Sequence, residues 1–200
     1  MARSSNLAQS QPPVKFNAPL FRSLVVNLPA RDRWVVLDLG AARTQTVSLF
    51  GQYHCRLDIA DLANEVDALN ACSEPQLARN AVDALLPSCK GETTDLVLCW
   101  DIMNYLERAA LNAVMSRIAA RSRSGTLVHA LIFYSHTHMP MQPGCFVPQE
   151  DNYLLDVATP HGERPATRYT PDDLKQCLAG FSIERAMLLS NGMQEFLFRL

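Results

Sequence analysis

The run WVVLDLGAARTQT spans Trp34 to Thr46 and changes character at its centre. Val35, Val36 and Leu37 form a continuous apolar stretch, the pattern of a parallel strand buried on both faces. Asp38, Leu39 and Gly40 follow, and then small residues that open a helix. A glycine just after such a strand lets the backbone turn tightly and approach a ligand. The N–H groups of the next helix then point into the gap. The stretch therefore reads as the first strand, loop and helix of a nucleotide-type binding site. Its glycine pattern is degenerate, because Ala42 and Thr44 stand where a glycine-rich loop carries its second and third glycines. Ala is compatible with negative φ, whereas the β-branched Thr44 adopts positive φ only at a steric cost. The alternative reading is an ordinary strand-to-helix turn of an α/β domain.

On the N-terminal side, Met1 to Pro13 is rich in Ser, Gln, Asn and Pro, the composition of a disordered segment, and the tail is taken as residues 1–15. From Pro19 to Leu28, Leu20, Phe21, Leu24, Val25 and Leu28 recur at helical spacing, with Pro19 suited to a first turn. This short amphipathic helix covers the domain edge or acts as a lid.

On the C-terminal side, Gln45 to Phe50 reads as a short helix and YHCRLDI, Tyr53 to Ile59, as a second strand. Asp58 lies near that strand's end, about 20 residues beyond the glycine turn, where an acid accepts hydrogen bonds from ribose hydroxyls in βαβ nucleotide folds. Asp61 competes for that role or caps a helix starting at Leu62. Leu62 to Leu86 is Ala-rich and helical in character, and no third strand is visible in it. DLVLC, Asp95 to Cys99, is a clear strand followed by Trp100-Asp101 at its carboxyl end, where open α/β sheets bind ligands. Asp38, Asp58 and Asp101 thus aim at one crevice from three strand ends. Glu107 to Arg121 reads as a helix with Arg117, Arg121 and Arg123 on a solvated face. Thr126 to Phe133 reads as a buried strand whose His129 is a hydrogen-bonded core residue. Thr170 to Ala179 is a helix capped by Thr170. Phe181 to Leu189 and Met193 to Leu200 are strands separated by Asn191-Gly192, a strong hairpin signal.

Between these elements, Tyr134 to Arg168 has many prolines and little periodicity. It reads as an insertion at the functional end of the sheet, since long irregular loops are usually functional. His136, His138, Met139, Met141 and Cys145 crowd together in it, but their spacing matches no standard zinc site, so no metal is expected.

Composition bounds the rest. Two hundred residues with 48% apolar content suit one domain, residues 16–200, with the insertion at 134–168. A net charge of −2 argues against nucleic acid or an anionic membrane as a partner. Cysteines at 55, 72, 89, 99, 145 and 177 form no CxxC pair, which points to a reduced, cytoplasmic protein. No run approaches the roughly 20 apolar residues of a membrane helix, and no secretory signal is seen.

A tight terminal hairpin forces its two strands antiparallel, a feature foreign to dinucleotide-binding Rossmann domains. With it, the chain after the N-terminal helix resembles the class I S-adenosylmethionine-dependent methyltransferases. VVLDLGAART is similar to that family's first motif, kept at Asp38 and Gly40. CRLDIAD resembles the second, with Asp58 in the ribose-binding place. Asp83-Ala84 with Leu86-Pro87 is similar to the third, and DLVLCWDIMNYL to the fourth, with Asp101 at the methionine end. YTPDDLKQCLAGFSIERAMLL resembles the helix and strand before the closing hairpin.

The resemblance implies a Rossmann-like three-layer α/β sandwich whose mostly parallel sheet is closed by an antiparallel C-terminal hairpin. It implies S-adenosylmethionine as cofactor, held by Asp38, Gly40, Asp58, Asp83 and Asp101, and in-line methyl transfer to a small or partly apolar molecule. Tyr134, His136 and His138 are candidate bases for an acceptor that must first lose a proton. The competing reading is a non-catalytic relative that serves as a binding or scaffold subunit, with a protein partner.

Overall fold

A computed structural model describes residues 12–30, 33–72, 74–86, 91–149, 151, 153–157, 162–167 and 169–200. In chain order the elements are β1 (Val14–Phe16), α1 (Pro19–Asn27), β2 (Trp34–Asp38), α2 (Thr44–Gly51), β3 (Cys55–Ile59), α3 (Val66–Asn70), α4 (Pro75–Leu85), β4 (Thr94–Trp100), α5 (Arg108–Ala120) and β5 (Ser122–Phe133). They continue with β6 (His138–Pro140), β7 (Cys145–Pro148), β8 (Leu154–Val157), β9 (Glu163–Pro165), α6 (Pro171–Cys177), β10 (Ser182–Leu188) and β11 (Met193–Arg199).

The main sheet has the order β10-β11-β5-β4-β2-β3. β3, β2, β4 and β5 run parallel, and β11 is antiparallel to both β5 and β10. Every residue of β2 and β4 is buried, as their unbroken apolar runs require, because both faces are covered. β3 is only half-buried, as suits an edge. The closing turn runs Leu189 to Gly192, with the Gly192 N–H donating to the Leu189 carbonyl and Gly192 at φ +80°. That left-handed backbone admits glycine without strain.

The N-terminal helix is attached through a charged side chain. No side chain caps α1 at Ala18. The N–H groups of Leu20 and Phe21 donate instead to the carboxylate of Glu195, at 2.9 and 2.7 Å, from the middle of β11. His129 Nε2 lies 2.8 Å from the same carboxylate, so the buried histidine expected from the sequence is a partner of a buried acid. Phe21 packs on Trp100 and His129 at ring distances of 5.7 and 5.6 Å.

Several expectations are corrected. Val14 and Lys15, assigned to the tail, pair in β1 with Asp156 and Leu155; residues 1–11 of that tail lie outside the described residues. The region Tyr134 to Arg168 is not one irregular loop. Its described part folds into β6 to β9, giving a small sheet β1-β8-β7 and a pair β6-β9; residues 150, 152, 158–161 and 168 lie outside the described residues. Asp83 sits in α4, in keeping with the helical character of Leu62 to Leu86; Ala78 and Val82 bury one face of that helix at helical spacing, and its neighbour Pro87 lies outside the described residues. Of the three arginines, Arg123 is exposed as expected and pairs with Asp95, whereas the other two are not solvated: Arg117 donates to the Leu86 carbonyl and pairs with Asp83 at 3.2 Å, and Arg121 is buried.

Candidate functional site

The carboxyl ends of β2 and β4 border a cavity of about 210 Å³. Asp38, Gly40 and Arg43 line it from the first strand and turn, Asn64 from the loop after β3, Trp100 from the end of β4, and Gln142 to Phe146 from the strap above.

Asp38 organises this corner. Its Oδ1 accepts the Gly40 N–H at 2.9 Å and the Trp100 indole N–H at 2.6 Å. Burial pushes its carboxyl up to about 6 against the pull of those two donors, and the negative charge of Asp61 adds to the rise. Gly40 has no positive φ; glycine is needed there because a Cβ would fall 2.9 Å from the Trp100 ring. Thr44 also avoids positive φ, because it is the first residue of α2. The missing third glycine is therefore no steric conflict in this backbone.

Trp100 has φ +49°, a conformation that costs an aromatic residue about 1–3 kcal/mol and tends to persist where surrounding contacts enforce it. Here the contacts are the bond to Asp38, the packing of Phe21, and a stacked Phe146 ring at 6.1 Å and 18°. The next residue, Asp101, is 1% exposed. Its Oδ2 accepts the Gly144 N–H at 2.8 Å, while Oδ1 is buried with no hydrogen-bond partner among the described residues. Burial pushes its carboxyl up to about 7; the Gly144 N–H opposes this and the charge of Asp156 adds to it.

The structure brings Asp38, Gly40 and Asp101 together at the cavity and its wall. It does not bring the other expected residues there. Asp58 accepts from Arg56 Nε at 3.0 Å and from Arg121 Nη2 at 3.1 Å. Arg121 also reaches Thr94, at the amino end of β4, so the Asp58 carboxylate is engaged away from the turn. Asp83 faces Arg117 across α4 and α5. Tyr134 is exposed, His136 packs edge-on against Phe133, and His138 is exposed beside Thr137. None of the three lines the cavity.

The competitor Asp61 is better placed. It has φ +46°, its Oδ2 accepts from Asn64 at 2.9 Å, and its Oδ1 is buried without a partner among the described residues. Its charge bears on Asp38, and its partner Asn64 lines the cavity. The segment 134–168 was expected at the functional end of the sheet, and its Cys145 does line the cavity; Trp100, Gln142 to Gly144 and Asp156 were not expected as site residues.

No protein-family model and no curated protein matches the sequence. Solved structures do match by shape. A S-adenosylmethionine-dependent methyltransferase from Clostridium acetobutylicum aligns with TM-score 0.53 and 14% identity, over 90% of this chain and 88% of that one. This chain has the class I methyltransferase fold. The glycopeptide N-methyltransferase MtfA complexed with S-adenosyl-L-methionine aligns with TM-score 0.51 and 13% identity, over 90% and 92%. An amino pentose methyltransferase from Micromonospora echinaspora, bound to the same cofactor and involved in calicheamicin biosynthesis, gives 0.51 and 15%, over 90% and 89%. No helix among the described residues is long and apolar enough to cross a membrane.

Proposed function

We propose that this protein binds S-adenosylmethionine at the Asp38–Gly40 turn and methylates a small-molecule acceptor. The observation that carries the reading is the cavity at the carboxyl ends of β2 and β4, lined by the Asp38-held turn and by Asn64, whose side-chain amide donates to Asp61. Two of the solved methyltransferases of the same fold are bound to this cofactor, and they are named for a glycopeptide and an amino pentose.

The residues present fit such a group. Asp61 offers an unpartnered carboxylate oxygen for the ribose diol. The first N–H groups of α2 have no side-chain cap, and Arg43 stands beside them, which suits the methionine carboxylate. Bound there, the cofactor supplies an electrophilic methyl on a sulfonium. The chain's part is to hold the donor and acceptor in line and to exclude water, since this transfer depends mainly on proximity and orientation.

A second reading, a non-catalytic binding subunit, is favoured by the tight closure of the cavity. Pockets that enclose drug-sized ligands run to about 300–1,000 Å³, and here Trp100 and Phe146 fill part of the space. Binding of the whole cofactor thus requires the strap to shift outward.

Titration calorimetry with S-adenosylmethionine tests the assignment. Hydrogen bonds to charged groups contribute roughly 1.5–3 kcal/mol each, so Asp61→Ala is expected to weaken binding by about tenfold to a hundredfold. Absence of heat with the wild-type protein would favour the non-catalytic subunit. Binding indifferent to Asp61→Ala would remove the ribose assignment.

A further inference from the structure

A glycine after the first strand of a nucleotide-type fold lets a ligand come close to the backbone. At Gly40 that approach is taken by the protein itself. A Cβ on Gly40 would fall 2.9 Å from both Cδ1 and Nε1 of Trp100. The same Nε1 donates to Asp38 Oδ1 at 2.6 Å, so the indole is also bonded to the acid that holds the turn. With the ring in this place the cavity holds about 210 Å³.

Other rings hold the indole there. Phe146 of β7 stacks on it, with 6.1 Å between centres and 18° between planes. Phe21 of α1 lies at 5.7 Å, and His129 of β5 meets it edge-on at 6.2 Å. Phe146 is backed in turn by Phe16 of β1, edge-on at 6.1 Å. It also lies against Gly144, whose Cβ would fall 2.8 Å from the Phe146 ring. Of these rings only His129 belongs to the main sheet. The others come from β1, α1 and β7, and both β1 and β7 pair with β8. The strap and the N-terminal segment thus form one layer laid over the indole.

The backbone opposes this arrangement. Trp100 ends β4 at φ +49°, a region that L side chains occupy at a cost. Release of the indole from Asp38 lets φ return to negative values and frees one side of the Asp38 carboxylate. Strain therefore favours opening, while the hydrogen bond and the ring contacts favour closure.

We propose that Trp100 is a gate on the cofactor site: its indole fills the place beside Gly40 that S-adenosylmethionine needs, and the cofactor enters when the strap lifts and the ring swings away from Asp38. This rests on the cofactor reading above. The closed ring makes the protein its own competitive inhibitor. Apparent affinity is reduced by the fraction of molecules in which the ring is away.

Calorimetric titration with S-adenosylmethionine and tryptophan fluorescence, both on the full chain, test the gate. The sequence has 2 tryptophans. Trp34 lies at the opposite, amino end of β2, so Trp34→Phe leaves Trp100 as the sole emitter. Trp100 is 4% exposed. Saturating cofactor is expected to shift its emission to longer wavelength and to open it to quenching by acrylamide. Trp100→Gly removes the ring at a backbone conformation that glycine adopts without strain. Phe146→Leu removes the stacked ring and keeps the site apolar. Minor conformers are populated at about 0.1–10%, so Trp100→Gly is expected to bind the cofactor about tenfold or more tightly than wild type, with Phe146→Leu between the two. Should Trp100→Gly fail to fold, the fluorescence of Trp34→Phe decides alone. Cofactor binding that leaves the emission and quenching of Trp100 unchanged, or that does not tighten in Trp100→Gly, overturns the gate. The indole is then a fixed wall, and the cofactor reading stands. Binding by Trp100→Gly but not by wild type upholds the gate and shows that wild type is held shut. No heat with wild type or with either variant removes the cofactor reading, and the gate falls with it.

Discussion

Asp58 and Asp61 stand three residues apart, and of the two it is Asp61 that keeps a buried oxygen with no partner among the described residues. The difference lies in Arg121, which is 6% exposed at the side chain and has Asp58 within 3.1 Å. Removing the acid leaves a nearly buried guanidinium short of a partner. Breaking a fully buried pair costs about 3–5 kcal/mol; with Asp58 a quarter exposed, solvent screens part of this. Asp58→Ala is therefore expected to lower stability by about 1–3 kcal/mol in urea denaturation while leaving S-adenosylmethionine binding unchanged. A variant as stable as wild type that loses binding would return the ribose role to Asp58. The sequence carried both acids but could not rank them, because the deciding partner is 63 positions away from Asp58. Asp38 and Gly40 were legible as a pair, since one makes the turn that the other caps. The reason for glycine was not: the Trp100 ring fills the place of its Cβ.

At the scale of elements, what could be read was whatever has a local cause. β2, β4 and β5 announce themselves as apolar runs, and the terminal hairpin by Asn191-Gly192. Asp83 fell to the helical period of its own neighbours, Ala78 and Val82. The strap was opaque because its strands are three or four residues long and pair with distant segments, as Phe16 in β1 does with Leu154 in β8. The attachment of α1 was also opaque, although its signal was present as one acid, Glu195, inside the apolar run of β11. That carboxylate satisfies two helix N–H groups and His129 at once. Glu195→Ala strands all three in the core and is expected to cost about 3–5 kcal/mol. Glu195→Gln keeps one acceptor oxygen and should cost less. Hydrogen exchange at Leu20 and Phe21 reads the effect directly. Protection there that survives Glu195→Ala would show that α1 is held by its apolar face alone.

For the whole molecule, the two buried acids beside the cavity set the pH dependence of folding. The ordinary value for Asp is 3.8, and in the folded protein Asp38 titrates near 6 and Asp101 near 7, burial being the largest cause for both. Between the ordinary value and these, the folded state binds more protons than the unfolded chain, so stability falls as pH rises through that window. Each tenfold difference in proton affinity between the folded and unfolded states is worth about 1.4 kcal/mol, which makes Asp101 the larger contributor at a few kcal/mol. Three other acids act in the opposite direction. Lys15 holds Asp151 low, Thr170 holds Asp173 low and Arg199 holds Glu184 low. Their stabilisation is lost only as pH falls below the ordinary carboxylate range, and it is small because all three are at the surface. The melting temperature is therefore expected to peak near pH 4, at the ordinary carboxylate value, and to decline from there towards pH 8. For a chain of this length a loss of 1 kcal/mol corresponds to about 2–4 °C, so the decline amounts to several degrees. Asp101→Asn preserves an acceptor for the Gly144 N–H and carries no charge, so its profile should be flatter than that of wild type and lie above it at pH 8. Scanning calorimetry of the two proteins from pH 5 to pH 8 decides the point, and parallel profiles would assign the dependence to groups other than Asp101.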